Sequence, residues 1–387
     1  MRQILVSVFS MVIPLIVIKY CSKELWGSFV SLLLFSLLAL QIINWGNKEY
    51  LLRQFSFAPG AIVPAFSKNL LTRLPLVLLF SIIGVFFFPI HFGFWIFLWL
   101  IGRFFNHAVE SLIVYEKKFK ASVYIEIVSF AFWVISLFLM KNTADLYSIL
   151  IFYSLYQFIK GILYVFEFRK FICFTGIQVD YSYYKSALGF FLLSVFGFFT
   201  SKSDVYVIEY FSDENTTANY QVLNSLLVFI MSTSVFIYTP FIKNIYRNNE
   251  AVVRKIRMLI SLSGLFIVPT ALIAVKYIVQ FYLSLQLSWS EYLLCFLYVF
   301  PSFVYGIRII ELFRKKQEKK VIVYLMICAI GNTLVSALLL LSGYGIAGAL
   351  SGGVFSQLLA LCLFTNPITA IFKLNQSQTQ PKTQSPS

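Results

Sequence analysis

Charge is scarce in this chain. Asp, Glu, Lys and Arg together make 12% of its 387 residues, about half the ~25% usual in soluble domains. Histidine occurs twice, as His91 and His107. There is no Ser–His–Asp grouping, no cluster at metal-ligand spacing and no glycine-rich phosphate loop behind a strand, so the common hydrolase, metalloenzyme and nucleotide-binding signatures are absent. Five cysteines, Cys21, Cys173, Cys295, Cys328 and Cys362, have no redox or metal spacing; most lie in apolar runs and read as packing residues. Long polar stretches are missing as well. Membrane glycosyltransferases and polymerases generally need a sizeable aqueous loop, and none is available here.

What is abundant is apolar surface. Hydrophobic residues make up 59% of the chain, and its mean hydropathy is +0.83. A helix needs roughly 20 apolar residues to cross the hydrocarbon core, and about twelve such runs fit with only short loops between them. They fall at 3–20, 26–45, 69–90, 92–112, 121–140 and 146–167, then at 186–210, 220–242, 257–281, 291–312, 321–341 and 344–365. The runs are continuous rather than ten-residue alternations, which selects helices over a β-barrel as the way to satisfy the backbone in lipid. Residues 2–20 have the n-region and apolar stretch of a signal peptide but no A-x-A-like cleavage site, so they read as a retained first helix.

The basic residues provide an independent test. The net charge is +15, from 31 Lys+Arg against 16 Asp+Glu. With the N-terminus on the cytoplasmic side, the connections expected inside hold Lys48, Arg53, Lys68 and Arg73; Lys117, Lys118 and Lys120; Arg169, Lys170 and Lys185; Lys243, Arg247, Arg254, Lys255 and Arg257; and Arg314, Lys315, Lys316, Lys319 and Lys320. With Arg2, Lys373 and Lys382 near the termini, these make 23 of the 31 positives. The intervening loops hold little positive charge: "PIHFG" and "SGYG" have no Lys or Arg, and "FSDENTTAN" is acidic through Asp213 and Glu214. Such an alternation is the positive-inside pattern, and it places both termini in the cytoplasm. The last stretch, "NQSQTQPKTQSPS", is polar and aperiodic and reads as a disordered cytoplasmic tail over 371–387.

The remaining charges carry the functional question, since an ionisable group at mid-bilayer costs roughly 2.5–3.5 kcal/mol on insertion scales. Lys19 and Lys276 lie close enough to span ends to snorkel. Arg103 in the fourth span, Lys160 in the sixth, and Lys202 with Asp204 in the seventh are deeper. Arg308 and Glu311 in the tenth are spaced i,i+3 and can form a simple helical pair. Lys202 and Asp204 are two residues apart and point in different directions, so each needs a partner elsewhere. One reading is structural, an interhelical bridge from Lys202 to Glu126 or from Asp204 to Arg103. The other is a cationic site for a phosphate, with Asp204 orienting Lys202 or carrying a coupling proton. Arg103 and Lys160 have no acidic neighbour in their own helices and favour anion binding. In "GYGIAGALSGGVFSQ", Gly345, Gly348, Gly352 and Gly353 form a small-residue face for close helix packing. Pro14, Pro240, Pro269 and Pro301 fall within spans, where they predict bends.

Several stretches resemble Wzx-type oligosaccharide flippases of the multidrug/oligosaccharidyl-lipid/polysaccharide transporter superfamily, which also holds MATE exporters and lipid II flippases. "KELWGSFVSLLLFSLLALQIINWGNKEYLLR" is similar to that family's second helix, and "VYEKKFKASVYIEI" to the start of its fifth. "YYKSALGFFLLSVFGFFTSKSDVYVI" resembles the seventh, with Asp204 in the place of its acidic residue. "TTANYQVLNSLLVFIMSTSVFIYTPFIKNIY" and "YGIAGALSGGVFSQ" resemble the eighth and twelfth.

The resemblance implies an all-α integral membrane protein with a MATE-like fold: two six-helix halves, 1–170 and 171–370, around a central cavity. "LWGSFVSLLLF" and "ANYQVLNSLLVF" occupy equivalent places in the two halves. It further implies alternating access in the bacterial inner membrane, carrying undecaprenyl-pyrophosphate-linked oligosaccharide from the cytoplasmic to the periplasmic leaflet in O-antigen or polysaccharide biosynthesis. The expected partners are that lipid-linked oligosaccharide, the bilayer, a coupling ion (H+ or Na+), and a polysaccharide polymerase with glycosyltransferases; nucleic acid and resident cofactors are not expected. Arg103, Lys160, Lys202, Asp204 and Arg308 are the expected substrate-binding residues, and no enzymatic activity is expected. The first span lacks an acidic residue, which separates the chain from cation coupling there. The alternatives are a MATE-like small-molecule exporter and a membrane enzyme of glycan assembly such as a polymerase or acyltransferase.

Overall fold

A computed structural model describes residues 2–140, 143–173, 179–247 and 250–365, with the backbone only at 243 and 244. The tail expected at 371–387, with Lys373 and Lys382, lies outside the described residues. Among those residues, twelve helical stretches are long and apolar enough to cross a membrane. Their core helices are α1 (Arg2–Tyr20), α2 (Lys23–Asn44), α3 (Ile62–Phe87), α4 (Gly93–Ala108), α5 (Phe119–Met140) and α6 (Leu146–Glu167). The second set is α7 (Leu188–Phe211), α8 (Glu214–Tyr238), α9 (Glu250–Ile278), α10 (Trp289–Arg314), α11 (Glu318–Leu341) and α12 (Gly345–Thr365). The chain is a multi-pass membrane protein.

Helix ends follow local chemistry. Ser22, Asp145, Asp213 and Ser288 each accept a backbone N–H of the following helix, which satisfies one of the four orphan donors that every helix start leaves. The break after α2 uses Trp45 and Gly46, both at positive φ, and a further helix, Asn47–Phe57, follows at once.

Several helices run beyond the apolar run that marks them. The expected 46–68 loop is largely helical, α3 begins at Ile62 rather than near 69, and α9 begins at Glu250 rather than near 257. Hydropathy detects only the part of a helix that meets hydrocarbon, and polar turns continue it into the interface. Pro14, Pro269 and Pro301 lie inside helices as expected, whereas Pro240 falls in a 3-10 turn that ends α8.

The helices pack in two groups. α1 to α6 associate through α4 with α6, α5 with α6, α3 with α4, and α1 with α5; α7 to α12 associate through α11 with α12, α7 with α11, α10 with α12, and α9 with α10. The groups meet where α2 lies against α7 and α8, and α1 against α8. Phe86, Phe87, Leu139, Phe266 and Leu338 are among many large apolar side chains on the outside, a surface that suits lipid rather than water.

Glycines set the tightest crossings. A Cβ on Gly102 would sit 2.6 Å from the Cα of Phe158, and one on Gly161 would sit 2.5 Å from the carbonyl oxygen of Gly102. α4 and α6 therefore touch backbone to backbone, the small-residue contact that drives helix association in lipid. The glycine face of α12 holds in part: Gly348 packs on Leu339 and Gly352 on Ser336 of α11, and Gly353 on Tyr298 of α10, whereas Gly345 has open space around it and a positive φ at the start of the helix. Gly102→Val should remove most monodisperse protein from detergent extracts on size-exclusion chromatography, because backbone atoms cannot yield as a side chain can. A normal elution profile would contradict that packing.

Candidate functional site

The basic loops all lie at one end of the bundle, termed the basic face. α2 and α7 stay in contact along their length: Ser31 donates to Glu209 at 2.5 Å and Tyr206 to the Leu34 carbonyl at 2.7 Å, and further toward the basic face Ser194 donates to Gln41 at 2.8 Å. There Trp45 also stacks on Phe191, with centroids 3.8 Å apart. α1 and α8 behave differently. The buried residues of α1 are Ile13, Pro14, Leu15 and Val17, and those of α8 run from Thr217 to Ile230 with Ser234 beyond. Both helices are thus covered mainly toward the face opposite the basic one. There Trp26 donates to Gln221 at 2.9 Å, and Gly27 lies against the Glu214 backbone.

Beside this seam, α7 places Asp204 at 0% exposure. Its carboxylate accepts from Tyr220 at 2.5 Å, Tyr298 at 3.3 Å and Asn224 at 3.3 Å. Tyr220 and Asn224 are i,i+4 on α8 and share a face, Tyr298 comes from α10, and Gly353 of α12 leaves the space Tyr298 fills. Three neutral side-chain donors and the Val205 backbone N–H thus hold a buried carboxylate that forms no ion pair among the described residues. Lys202 reaches the same unit: its ammonium donates to Asn224 Oδ1 at 2.6 Å. Asn224 therefore accepts from Lys202 and donates to Asp204, joining two charges that cannot meet directly along α7. A buried charge held by hydrogen bonds is costly to disturb.

The first group of helices contains a second network. Glu126 on α5, 1% exposed, accepts from Lys160 at 3.0 Å, from Tyr164 at 3.0 Å and from Arg2 at 3.4 Å. Arg103 and His107, one turn apart on α4, approach to 3.5 Å. His107 lies 3.1 Å from Glu110, which also faces Lys48 at 3.5 Å and Arg2 at 3.8 Å. The Nε of Arg103 is buried without a hydrogen-bond partner.

These contacts correct part of the sequence reading. Neither bridge weighed there, Lys202 to Glu126 or Asp204 to Arg103, forms. Glu126 is taken by Lys160 and Arg2, so Lys160 does have an acidic partner, supplied by another helix. Arg2 joins that network rather than serving only as a terminal charge. Arg73 is no loop residue: at 0% exposure it lies in α3, donating to Asn69 at 2.9 Å and to the Ile43 carbonyl at 3.4 Å, with Phe104 5.0 Å away as a cation–π partner. The i,i+4 spacing of Asn69 and Arg73 was the one signal in the sequence for that role. Glu209, which meets Ser31 across the seam, was not singled out.

Arg308 stands apart from both networks. It pairs with Glu311 at 2.6 Å, as the i,i+3 spacing allows, and Arg257 of α9 takes the other oxygen of Glu311 at 3.2 Å. The five expected site residues therefore fall in three places: Arg103 and Lys160 in the first group of helices, Lys202 and Asp204 between α7, α8 and α10, and Arg308 in a cleft between α9 and α10.

No protein-family model and no curated protein matches the chain. Among solved structures, it is similar to an inward-facing multidrug resistance MATE family transporter of the MOP superfamily, with TM-score 0.66 and 9% identity over 97% of this chain and 96% of that one. It is also similar to the lipid II flippase MurJ in an inward closed conformation, with TM-score 0.69 and 13% identity over 97% of this chain and 89% of that one. At these identities the likeness is one of fold: twelve membrane helices in two packed groups, in the arrangement of MATE and MurJ transporters.

Proposed function

We propose that the chain is a flippase that moves undecaprenyl-pyrophosphate-linked oligosaccharide from the cytoplasmic to the periplasmic leaflet of the bacterial inner membrane by alternating access. The supporting observation is the Lys202–Asn224–Asp204 unit between α7 and α8, beside the seam, in a fold similar to that of a lipid II flippase. In this reading the halves are 1–170 and 171–370, with 371–387 a cytoplasmic tail, and the basic face is cytoplasmic. The lesser coverage of α1 and α8 on that side then opens the seam toward the leaflet where the cargo is assembled.

Lys202 is a compact cation held by a neutral amide, free to exchange Asn224 for a phosphate oxygen at little cost, and its positive field attracts the diphosphate. Arg103 and Lys160 add positive potential from the other half. Asp204 carries the coupling ion, H+ or Na+. An ion bound there weakens the hold of the carboxylate on Tyr220, Asn224 and Tyr298 and so links ion occupancy to the packing of α7 against α8 and α10. Polymerase and glycosyltransferases act before and after this step as separate proteins, and the chain itself is no enzyme.

Lys202→Ala should lower surface glycan and accumulate lipid-linked precursor while protein in the membrane stays at the wild-type level. Wild-type glycan in that variant would remove Lys202 from the site. A deletion strain with altered drug sensitivity and unchanged glycan would favour the small-molecule exporter instead.

A further inference from the structure

Away from the seam, the basic-face ends of α9 and α10 enclose a cleft of about 160 Å3. Arg254 and Arg257 line it from α9, and Arg308, Arg314 and Lys315 from α10 and its cap. Two carboxylates, Glu250 and Glu311, oppose these five cations. Glu311 serves Arg257 and Arg308 at once, one oxygen each. Lys315 reaches Glu250 only at 3.6 Å, with both side chains largely exposed, and Arg314 donates to the Ile245 carbonyl at 3.0 Å.

The cluster is therefore overcharged. One carboxylate between two guanidiniums cannot neutralise both, and each guanidinium has five donors of which the contact with Glu311 uses a part. The Nε of Arg308 is buried without a partner. Like charges gathered in a half-covered cleft repel, and an anion with several acceptor oxygens relieves that repulsion. Planar, forked donors match a phosphate group in particular.

The surroundings indicate where the phosphate comes from. From Arg254, which lines the cleft, the outer side of α9 continues as apolar surface: Met258, Leu262 and Leu265 are exposed, three or four residues apart, so that they form one stripe leading away from the edge of the cleft along the helix. A soluble anion would have no use for that stripe, whereas a lipid could place its headgroup in the cleft and its chains along it. We propose that this cleft binds the phosphate headgroup of an anionic phospholipid from the basic-face leaflet, as basic pockets between membrane helices do. The site is separate from the Lys202–Asp204 unit and stands whether or not the cargo is a lipid-linked oligosaccharide.

The test is native mass spectrometry of the full-length protein in detergent, titrated with dioleoyl phosphatidylglycerol, with dioleoyl phosphatidylcholine, or with inorganic pyrophosphate. Phosphatidylglycerol should bind in preference to phosphatidylcholine. The double variant Arg257→Gln/Arg308→Gln should bind it about 30-fold more weakly, at roughly five- to sixfold per basic group. Glu311→Gln releases both arginines and should bind it several-fold more tightly, a gain that misfolding does not mimic. Equal affinity of wild type and double variant for phosphatidylglycerol, or no gain in Glu311→Gln, would overturn the proposal. Pyrophosphate bound through the same arginines without any preference for phosphatidylglycerol would assign the cleft to a soluble phosphate and overturn it likewise.

Discussion

Asp204→Asn should reduce transport about a hundredfold, equivalent to ~2.7 kcal/mol, while the protein still inserts and folds. The substitution keeps the size of the side chain and removes its charge. Tyr220, Tyr298 and Asn224 all donate to this carboxylate; hydrogen bonds to a charged acceptor contribute roughly 1.5–3 kcal/mol each, and a neutral amide keeps only part of that. Half of the new amide is itself a donor facing donors, so one contact must rearrange. The consequence falls on the closure of α7 against α8 and α10, and on the ion that Asp204 is proposed to carry. The measurement is glycan display per unit of protein in the membrane, with Asp204→Glu alongside. A longer carboxylate keeps the charge and should retain partial activity. Wild-type display in Asp204→Asn would mean that the carboxylate is only a packing group.

Glu126→Leu is expected to have the largest effect on stability. It strips the shared acceptor from Lys160, Arg2 and Tyr164. The Lys160 side chain is 6% exposed, so its ammonium would be left buried and uncompensated. Breaking a buried pair from one side costs about 3–5 kcal/mol, enough to lower the unfolding midpoint in detergent by about 5 °C for a chain of this length. Replacing both partners by apolar groups of similar size is often close to neutral. Glu126→Leu/Lys160→Met should therefore regain most of the loss, and a thermal scan of the two variants and wild type decides the matter. If Glu126→Leu alone melts with wild type, Lys160 finds another acceptor and the pair is not what holds α5 to α6.

Much of the fold was legible from the sequence because the bilayer fixes helix length and the loop charges fix alternation. The twelve runs and the glycine face of α12 were read from residues whose physics is local. Arg73 shows the limit: it lies about three turns into α3 and within the 69–90 apolar run, yet its charge grouped it with the basic connection before that run. Whether it meets water or the core depends on how α3 and α4 face each other. The same reason hid the Lys160–Glu126 pair, since two residues on different helices meet only when helix rotation is known. Asp204 was visible as a deep charge with an unsuitable neighbour, yet Tyr220, Asn224 and Tyr298 could not be joined to it, because neutral polar residues in spans are too common to single out. Arg308 and Glu311 were legible as a pair from their spacing; Arg257, on the preceding helix α9, was not.

The central claim, translocation of a lipid-linked oligosaccharide, is tested most directly in proteoliposomes of the purified full-length chain loaded with a fluorescent undecaprenyl-pyrophosphate-linked oligosaccharide and exposed to a membrane-impermeant quencher. With wild-type protein, quenching should proceed from the outer-leaflet fraction to completion, and with Asp204→Asn it should stop near the outer-leaflet fraction. Equal quenching in wild-type, Asp204→Asn and protein-free vesicles, under an imposed H+ or an imposed Na+ gradient, would contradict it.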